Sequence, residues 1–397
     1  MLIARGQASG LDFAELAFQA EELQALIAQN EGKHISDEEA KQVIKETEGW
    51  ITGLQFSNIK LPSSGDQSNL FNYFKQQVLD RQPPELKEFI LRTSLLEDFD
   101  AELCEKVLAP LYDKKQDWQN WIKLIANNNV FALPVGENQD SLRYHHLFRD
   151  FIRDQFKAER PNEVSPILAN LQLAYESFGE WEKAHHICKQ LNDSTALAEM
   201  IERAGTTMIQ HAHLTLESWL NELPSVMLKT RPSLLSIRGV IVGLKGDFHE
   251  SLNILNESEQ KFRLAEDTHG LALTLSRRAT INRFLGEYQN SLKDADELIE
   301  LTEETPELSL LYAEGLRIKG LTLFRLGQAR QAVTFFEKSL GLYEQLKETG
   351  SVPILLMETG MAYRAVADFE QAKKAYETAL LIWRREGNLF HRCAEAL

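Results

Sequence analysis

GEYQNSLKDA, residues 286–295, decides the fold, because the chain repeats its pattern at near-constant spacing. GDFHESLNIL begins at Gly246, GQARQAVTFF at Gly327 and ADFEQAKKAY at Ala367, so the four segments start 40, 41 and 40 residues apart. GEWEKAHHIC, from Gly179, is an earlier copy. Each segment opens on glycine (alanine in the last), and a small residue follows five positions later: Ala184, Ser251, Ser291, Ala332 and Ala372. Another small residue precedes the turn by seven: Gly239, Ala279, Gly320 and Gly360. Glycine tolerates the left-handed backbone that ends a helix, and small residues let two helices approach closely. The pattern therefore predicts helix–turn–helix units, with an aromatic (Trp181, Phe248, Tyr288 or Phe369) anchoring the start of the second helix. In the last unit Phe369, Ala372, Tyr376, Ala379 and Leu380 form an apolar stripe at helical spacing. No unit can bury such a stripe alone, so neighbours must stack.

These features resemble tetratricopeptide repeats, lengthened from the usual period of about 34 residues to about 40, which implies longer helices. A generic solenoid of helical pairs is the alternative. Residues 179–245 look like degenerate repeat, with LTLESWLNELP (214–224) as a landmark.

The 397 residues suffice for several cores. Lys and Arg total 43 against 59 Asp and Glu, and the net charge of −16 argues against broad binding to nucleic acid or anionic membranes. Cys104, Cys188 and Cys393 are odd in number and far apart, which suits neither a disulfide framework nor a metal site and points to a reducing compartment. His185 with His186, and His211 with His213, lack the i, i+4 spacing that aims two imidazoles at one metal, so no metal is expected. No stretch approaches the length of a membrane span. The opening MLIARGQASGLDF has no apolar signal core, so the expected location is the cytoplasm.

The first half reads differently. Residues 11–30 and 36–60 have helical periodicity, and Ser36 before DEEA is a good N-cap. TEGWITGLQ (47–55) brackets Trp50 and Ile51 with Gly49 and Gly53, and LPSSGDQS (61–68) reads as a linker. PPELKEFILRTSLL (83–96) opens a helix on prolines. DWQNWIKLIANNN (117–129) places Trp118, Trp121, Ile122 and Ile125 on one face, and its asparagines suit a left-handed helix end. VFALPV (130–135) and SLRYH (141–145) predict a hairpin around GENQD, and LFRDFIRDQF (147–156) predicts a helix. Helices followed by a two-stranded wing describe a winged helix. A recognition helix needs exposed Arg, Lys, Asn or Gln. Residues 117–126 offer Gln119, Asn120 and Lys123, opposed by Asp117, so no direct contact with nucleic acid is expected.

TEGWITGLQ, QPPELKEFILRTSLL, RYHHLFRDF (143–151) and the repeats, in that order, resemble the large MalT-like regulators of the LuxR group, signal-transduction ATPases of the STAND class. The resemblance implies a mainly α chain: a helical domain over 1–62, a winged helix with a small β-hairpin over 63–160, and an α-α superhelix of tetratricopeptide-like repeats over 161–397, acting as sensor. Two parts of that family have no counterpart here. A Walker A loop needs GxxxxGK[ST], whereas Gly32-Lys33 is followed by His34 and lacks the upstream glycine. No segment resembles the LuxR-type helix-turn-helix. The chain is therefore expected to be no enzyme by itself and to be the middle of a larger regulator, a fragment or the product of a split gene. ATP or ADP is expected only with a nucleotide-binding domain, in the same polypeptide or in trans.

By the same resemblance, His145 falls on the histidine of a Met-His-Asp motif that touches the β-phosphate of ADP, with Tyr144 in place of the methionine and His146 in place of the aspartate. Imidazole N–H suits such a contact. The alternative is that one histidine caps the following helix while the other is solvated. The resemblance also places Arg283, Glu314, Arg317, Phe324, Arg325, Met357, Met361 and Arg364 on or near the inner surface of the superhelix. Arginine forks bind carboxylate or phosphate, so the groove would take an anionic inducer or an acidic peptide, unless these arginines pair with neighbouring acids. The implied function is signal sensing: an inducer or partner protein bound in the superhelix controls a nucleotide-dependent switch and self-assembly on activation. The competing reading is a stand-alone tetratricopeptide adaptor for proteins or peptides.

Overall fold

The computed structural model describes residues 18–31, 34–47, 71–128, 130–136, 140–209 and 211–385. Gly32-Lys33, residues 48–55 of TEGWITGLQ, the rest of the helix expected up to residue 60, the linker 61–68, the centre of GENQD and Cys393 lie outside the described residues. Two compact units divide between Asn192 and Asp193.

In the first unit, α1 (Ala20–Glu31) and α2 (Asp37–Thr47) pack through Leu23, Ile27 and Ala40. Ser36 caps α2 as expected: Glu39 N–H donates to its hydroxyl at 3.2 Å, and its own N–H donates to the Glu39 carboxylate at 2.8 Å. The winged helix follows. Pro83 and Pro84 open α3 (Pro84–Thr93), where a missing N–H costs nothing. Asp100 and Asp117 cap α4 (Ala101–Leu108) and α5 (Trp118–Asn127) by accepting backbone N–H groups at 2.8 and 3.1 Å. Antiparallel β1 (Ala132–Val135) and β2 (Ser141–Tyr144) pair Ala132 with Tyr144, and Phe99 bridges to Leu142. α6 (His146–Glu159) comes next.

Trp118 and Ile125 of the α5 stripe are buried, and Trp121 and Ile122 are half-buried. α5 ends in the asparagine run as expected, with Asn128 as its C-cap at φ −88°; Asn129 lies outside the described residues, and Phe131 is left-handed at φ 47°. The half-buried Phe131 ring packs 5.5 Å from Phe74 and 5.6 Å from Phe148, contacts that hold this bend three residues after Asn128.

α7 (Pro161–Ser177) packs on α4 and α6, and pairs with α8 (Trp181–Leu191) around Gly179 at φ 74°. It brings Glu163 to Arg92 at 2.9 Å and to Arg160 at 2.9 Å. Burial alone would raise the Glu163 pKa, but hydrogen bonds from Arg92 and Arg160 hold it below its ordinary 4.5. A depressed carboxylate stabilises the fold above its unfolded pKa, and that contribution is lost as pH falls through the folded value. Glu163→Gln is therefore expected to melt below wild type at about pH 6 and to converge with it by about pH 3. A gap that stays constant across that range would mean lost packing, not lost charge.

The second unit opens with α9 (Ser194–Ala204), α10 (His213–Glu222) and α11 (Ser225–Thr230). Four hairpins follow: α12 (Pro232–Leu244) with α13 (Phe248–Leu264), α14 (Thr268–Leu285) with α15 (Tyr288–Thr302), α16 (Ser309–Arg325) with α17 (Ala329–Gln345), and α18 (Val352–Ala365) with α19 (Phe369–Arg385). All four turn on the expected residues, Gly246, Gly286, Gly327 and Ala367, at φ between 63° and 93°. The small residues sit where the paired helices cross. A Cβ on Gly239 would come within 2.8 Å of Leu255, on Gly320 within 2.7 Å of Phe336, and on Gly360 within 2.5 Å of Tyr376, in each case the residue sixteen positions on. Ser251, Ser291 and Ala332 are fully buried.

Of the aromatics after the turns, Trp181, Phe248 and Tyr288 are half-buried, with Phe248 stacked on Phe284 at 6.4 Å, and only Phe369, 66% exposed, fails to anchor as expected. All four stand at the first helical position, beside the end of the preceding helix, and the small residues one turn later make the close contact. Each hairpin packs on the next, and successive first helices touch, so that α9, α12, α14, α16 and α18 form one layer. Among the described residues no helix is long and apolar enough to cross a membrane.

Candidate functional site

In the first unit RYHHLFRDF forms the second wing strand and the start of α6. Tyr144 is a core residue, 1% exposed, with its hydroxyl 2.8 Å from Thr93 Oγ1. Burial pushes the Tyr144 pKa far up, so it stays a neutral hydrogen-bonding group. The residue replacing the motif's methionine thus locks the wing to α3. His145 is 3% exposed and donates its backbone N–H to the Phe131 carbonyl at 2.7 Å. It occupies the N-cap position of α6, but its side chain makes no capping bond, which disposes of the capping alternative for this histidine. Its ring stacks on the half-buried His146, 4.6 Å between centroids.

One turn on, α6 carries Arg149, Arg153 and Lys157 at i, i+4 and i+8 along a cleft of about 760 Å³. Lys183 and His186 of α8 face them, over a floor that includes Tyr175. Arg153 pairs with Asp150 at 2.7 Å. This basic row was visible in the spacing of FRDFIRDQFK but not singled out.

In the second unit the expected groove residues separate into three groups. Arg317, Glu314 and Arg283 come together, with Arg325 nearby. Arg317 holds Glu314 through Nε and Nη2, both at 2.9 Å, and reaches Glu358 on α18 through Nη1 at 2.7 Å. The Tyr343 hydroxyl donates to Glu314 at 2.9 Å. Phe324 and Met357 are half-buried, Phe324 against the cluster that includes Phe336 and Tyr343 and Met357 against that of Leu356, Ala379 and Trp383. Arg325 and Arg364 are exposed and Met361 is half-buried.

The electrostatics follow from this bonding. Burial opposes the charges of Arg283, Glu314, Arg317 and Glu358. Two carboxylates nevertheless hold the Arg317 pKa well above normal. Burial would raise Glu314, but the double bond from Arg317 and the Tyr343 hydroxyl keep it low. Glu358 has one such bond, its Oε2 is buried without a partner, and burial raises it. Arg283 is lowered by burial and by the like charge of Arg317, and its guanidinium lies 4.7 Å from the Phe284 ring. Arg283 and Arg317 balance Glu314 and Glu358, with the exposed Arg325 beside them. Arg317 is paired internally, as the pairing alternative had it, while Arg283 makes no ion pair among the described residues. Glu358 lies 41 residues beyond Arg317, one repeat, so the period could have located it; nothing in the sequence pointed to Tyr343.

Comparison with known proteins agrees with both halves. The family described as the MalT winged helix domain matches residues 75–164, and the tetratricopeptide repeat family matches 270–345. The HTH-type transcriptional regulator MalT of Vibrio campbellii is 21% identical over 347 residues, 84% of this chain and 37% of the relative. That of Klebsiella pneumoniae (strain 342) is 22% identical over 297 residues, 71% and 32% respectively. The chain thus spans about a third of the length of these curated relatives. A solved STAND protein with a tetratricopeptide repeat sensor from Pyrococcus horikoshii superposes with a TM-score of 0.50 at 14% identity, over 93% of this chain and 60% of that one, a likeness of fold. Residues 75–164 thus form a winged-helix domain of the MalT type, and helical repeats of the tetratricopeptide type follow it.

Proposed function

We propose that this chain is the regulatory and signal-sensing segment of a MalT-like transcriptional activator in the cytoplasm. The observation that carries the reading is the pairing, in one chain, of a MalT-type winged helix with a tetratricopeptide superhelix. An inducer or partner protein binds the inner layer of first helices and favours the active state. It can do so only through different affinities for the two states. His145, at the head of α6, contacts the phosphate of ADP held by a nucleotide-binding domain, in the same polypeptide or in trans. That contact requires the buried ring to be uncovered. The chain itself catalyses nothing on this reading; ATP hydrolysis and self-assembly belong to the whole regulator.

The test is ADP retention when the chain is combined with its nucleotide-binding domain. A charge-assisted hydrogen bond contributes about 1.5–3 kcal/mol, so His145→Ala is expected to release ADP roughly 10- to 100-fold more readily. Unchanged retention removes His145 from the switch. The sensing half is checked by thermal shift of the chain against oligosaccharides and acidic peptides, and a flat response across both panels counts against it.

A further inference from the structure

The inner layer of the second unit contains a charge with no counter-charge. Arg277, on α14, lines a pocket of about 240 Å³ walled by α9, α12 and α14, three consecutive members of that layer. Its Nη1 donates to Ser236 Oγ at 2.8 Å. Thr274 Oγ1 donates to the same hydroxyl at 3.1 Å, so Ser236 accepts twice. Among the described residues no carboxylate lies within ion-pairing distance of Arg277. Its neighbours differ. Arg278, the next residue, holds Asp294 and Glu259; Arg263 holds Glu259 and Glu297; Arg317 holds Glu314 and Glu358. Three carboxylates line the same pocket, and each has another partner: Glu202 and Glu199 face Arg231, at 3.0 and 3.7 Å, and Asp267 caps α14 by accepting the Gly270 N–H at 2.8 Å.

The repeat register sharpens the anomaly. Arg277 stands two positions before the small residue Ala279. The equivalent positions before Gly239 and Gly320 are Ile237 and Ile318, each 1% exposed, and before Gly360 it is Glu358, which is half-buried and paired with Arg317. The position thus takes a core isoleucine in two hairpins and a paired charge in a third, whereas the half-buried Arg277 has no counter-ion among the described residues. Its guanidinium is packed among protein atoms that push its pKa down to about 10, so it is still cationic at neutral pH. A guanidinium presents five donors, and four here have no partner among the described residues.

We propose that Arg277 anchors a small oxyanion, a carboxylate or phosphate group, whose two oxygens meet the free edge of the guanidinium inside this pocket. The volume lies below the roughly 300–1,000 Å³ of drug-sized sites, which limits the ligand to a short acid or a small phosphate ester. Such an anion joins α9 and α12 to α14. The inference rests on the sensing role proposed above and gives that role a ligand class.

The experiment titrates the whole chain with inorganic phosphate and, separately, with succinate, following heat of binding and thermal shift at constant ionic strength. Wild type is expected to bind one of the two saturably, and which one it binds tells phosphate from carboxylate. Arg277→Met is expected to lose at least tenfold in affinity and, with its half-buried, unpaired charge gone, to melt no lower than wild type without ligand. Arg277→Lys keeps the charge but not the fork, and is expected to fall between the two. The exposed Arg330→Met is expected to bind as wild type. Absence of saturable binding to either anion overturns the proposal, as does equal binding by Arg277→Met. These outcomes leave the sensing reading standing if the oligosaccharide or peptide panel still shifts the chain. Conversely, anion binding that Arg277 controls, without effect on ADP retention, upholds the site and removes the sensing role.

Discussion

Phe336→Ala is expected to destabilise the second unit by about 3–5 kcal/mol, the usual cost of truncating a fully buried phenylalanine. Phe336 is 0% exposed and fills the crossing of α16 and α17, against the backbone of Gly320. Gly320→Ala attacks the same contact from the other side, since its Cβ would stand 2.7 Å from Phe336 Cε1. Overpacking of this kind costs about 1–3 kcal/mol. The two changes share one space, so the double variant is expected to lose clearly less than the sum of the singles. Urea unfolding of the four proteins in the cycle checks this, and strict additivity would sink the claim that glycine and ring are one packing unit.

The second large effect concerns the ion cluster. Arg317→Met removes the partner of two carboxylates at once, and breaking a buried ion pair from one side costs about 3–5 kcal/mol. The loss is expected to depend on pH. Without Arg317, Glu314 joins Glu358 in having a raised pKa, and both favour the protonated form in the fold. A carboxylate raised in the folded state destabilises above that value and ceases to do so as pH falls through it. The deficit of Arg317→Met should therefore be largest near neutrality and shrink toward about pH 4. Replacing Glu314 and Glu358 by glutamine as well is expected to recover much of the loss at neutral pH. A deficit independent of pH, with no such recovery, would assign the damage to packing.

Much of the fold was legible because it is written in local signals. The turns at Gly246, Gly286, Gly327 and Ala367 require left-handed backbone, and the chain marks them at a fixed period. The caps Ser36, Asp100 and Asp117 each precede a helix by one residue. The wing was legible from strand length and a turn-rich stretch. What misled was position within an element. Phe369 looks like the other anchors in sequence, yet its first helical position faces past the neighbouring helix and leaves it exposed. Phe131 was unreadable for a different reason: its left-handed bend depends on ring contacts with Phe74 and Phe148, distant in sequence. The candidate site was half legible. Repeat spacing brings Arg317 to Glu358, but Tyr343 reaches Glu314 from a second helix, and Phe324 packs half-buried against the core cluster, neither of which periodicity reports.

The hairpins of the second unit pack chiefly on their immediate neighbours. Cooperativity in such a stack is the sum of nearest-neighbour couplings, as in a one-dimensional lattice. Loss of structure should accordingly start at a terminal hairpin and travel along the row, and opening free energies from hydrogen exchange should form a gradient instead of a single value. Any occupant bridging adjacent first helices strengthens one coupling constant of that lattice. Its influence on a distant hairpin then depends on how many weaker junctions lie between, so its effect is graded by position whatever its chemistry.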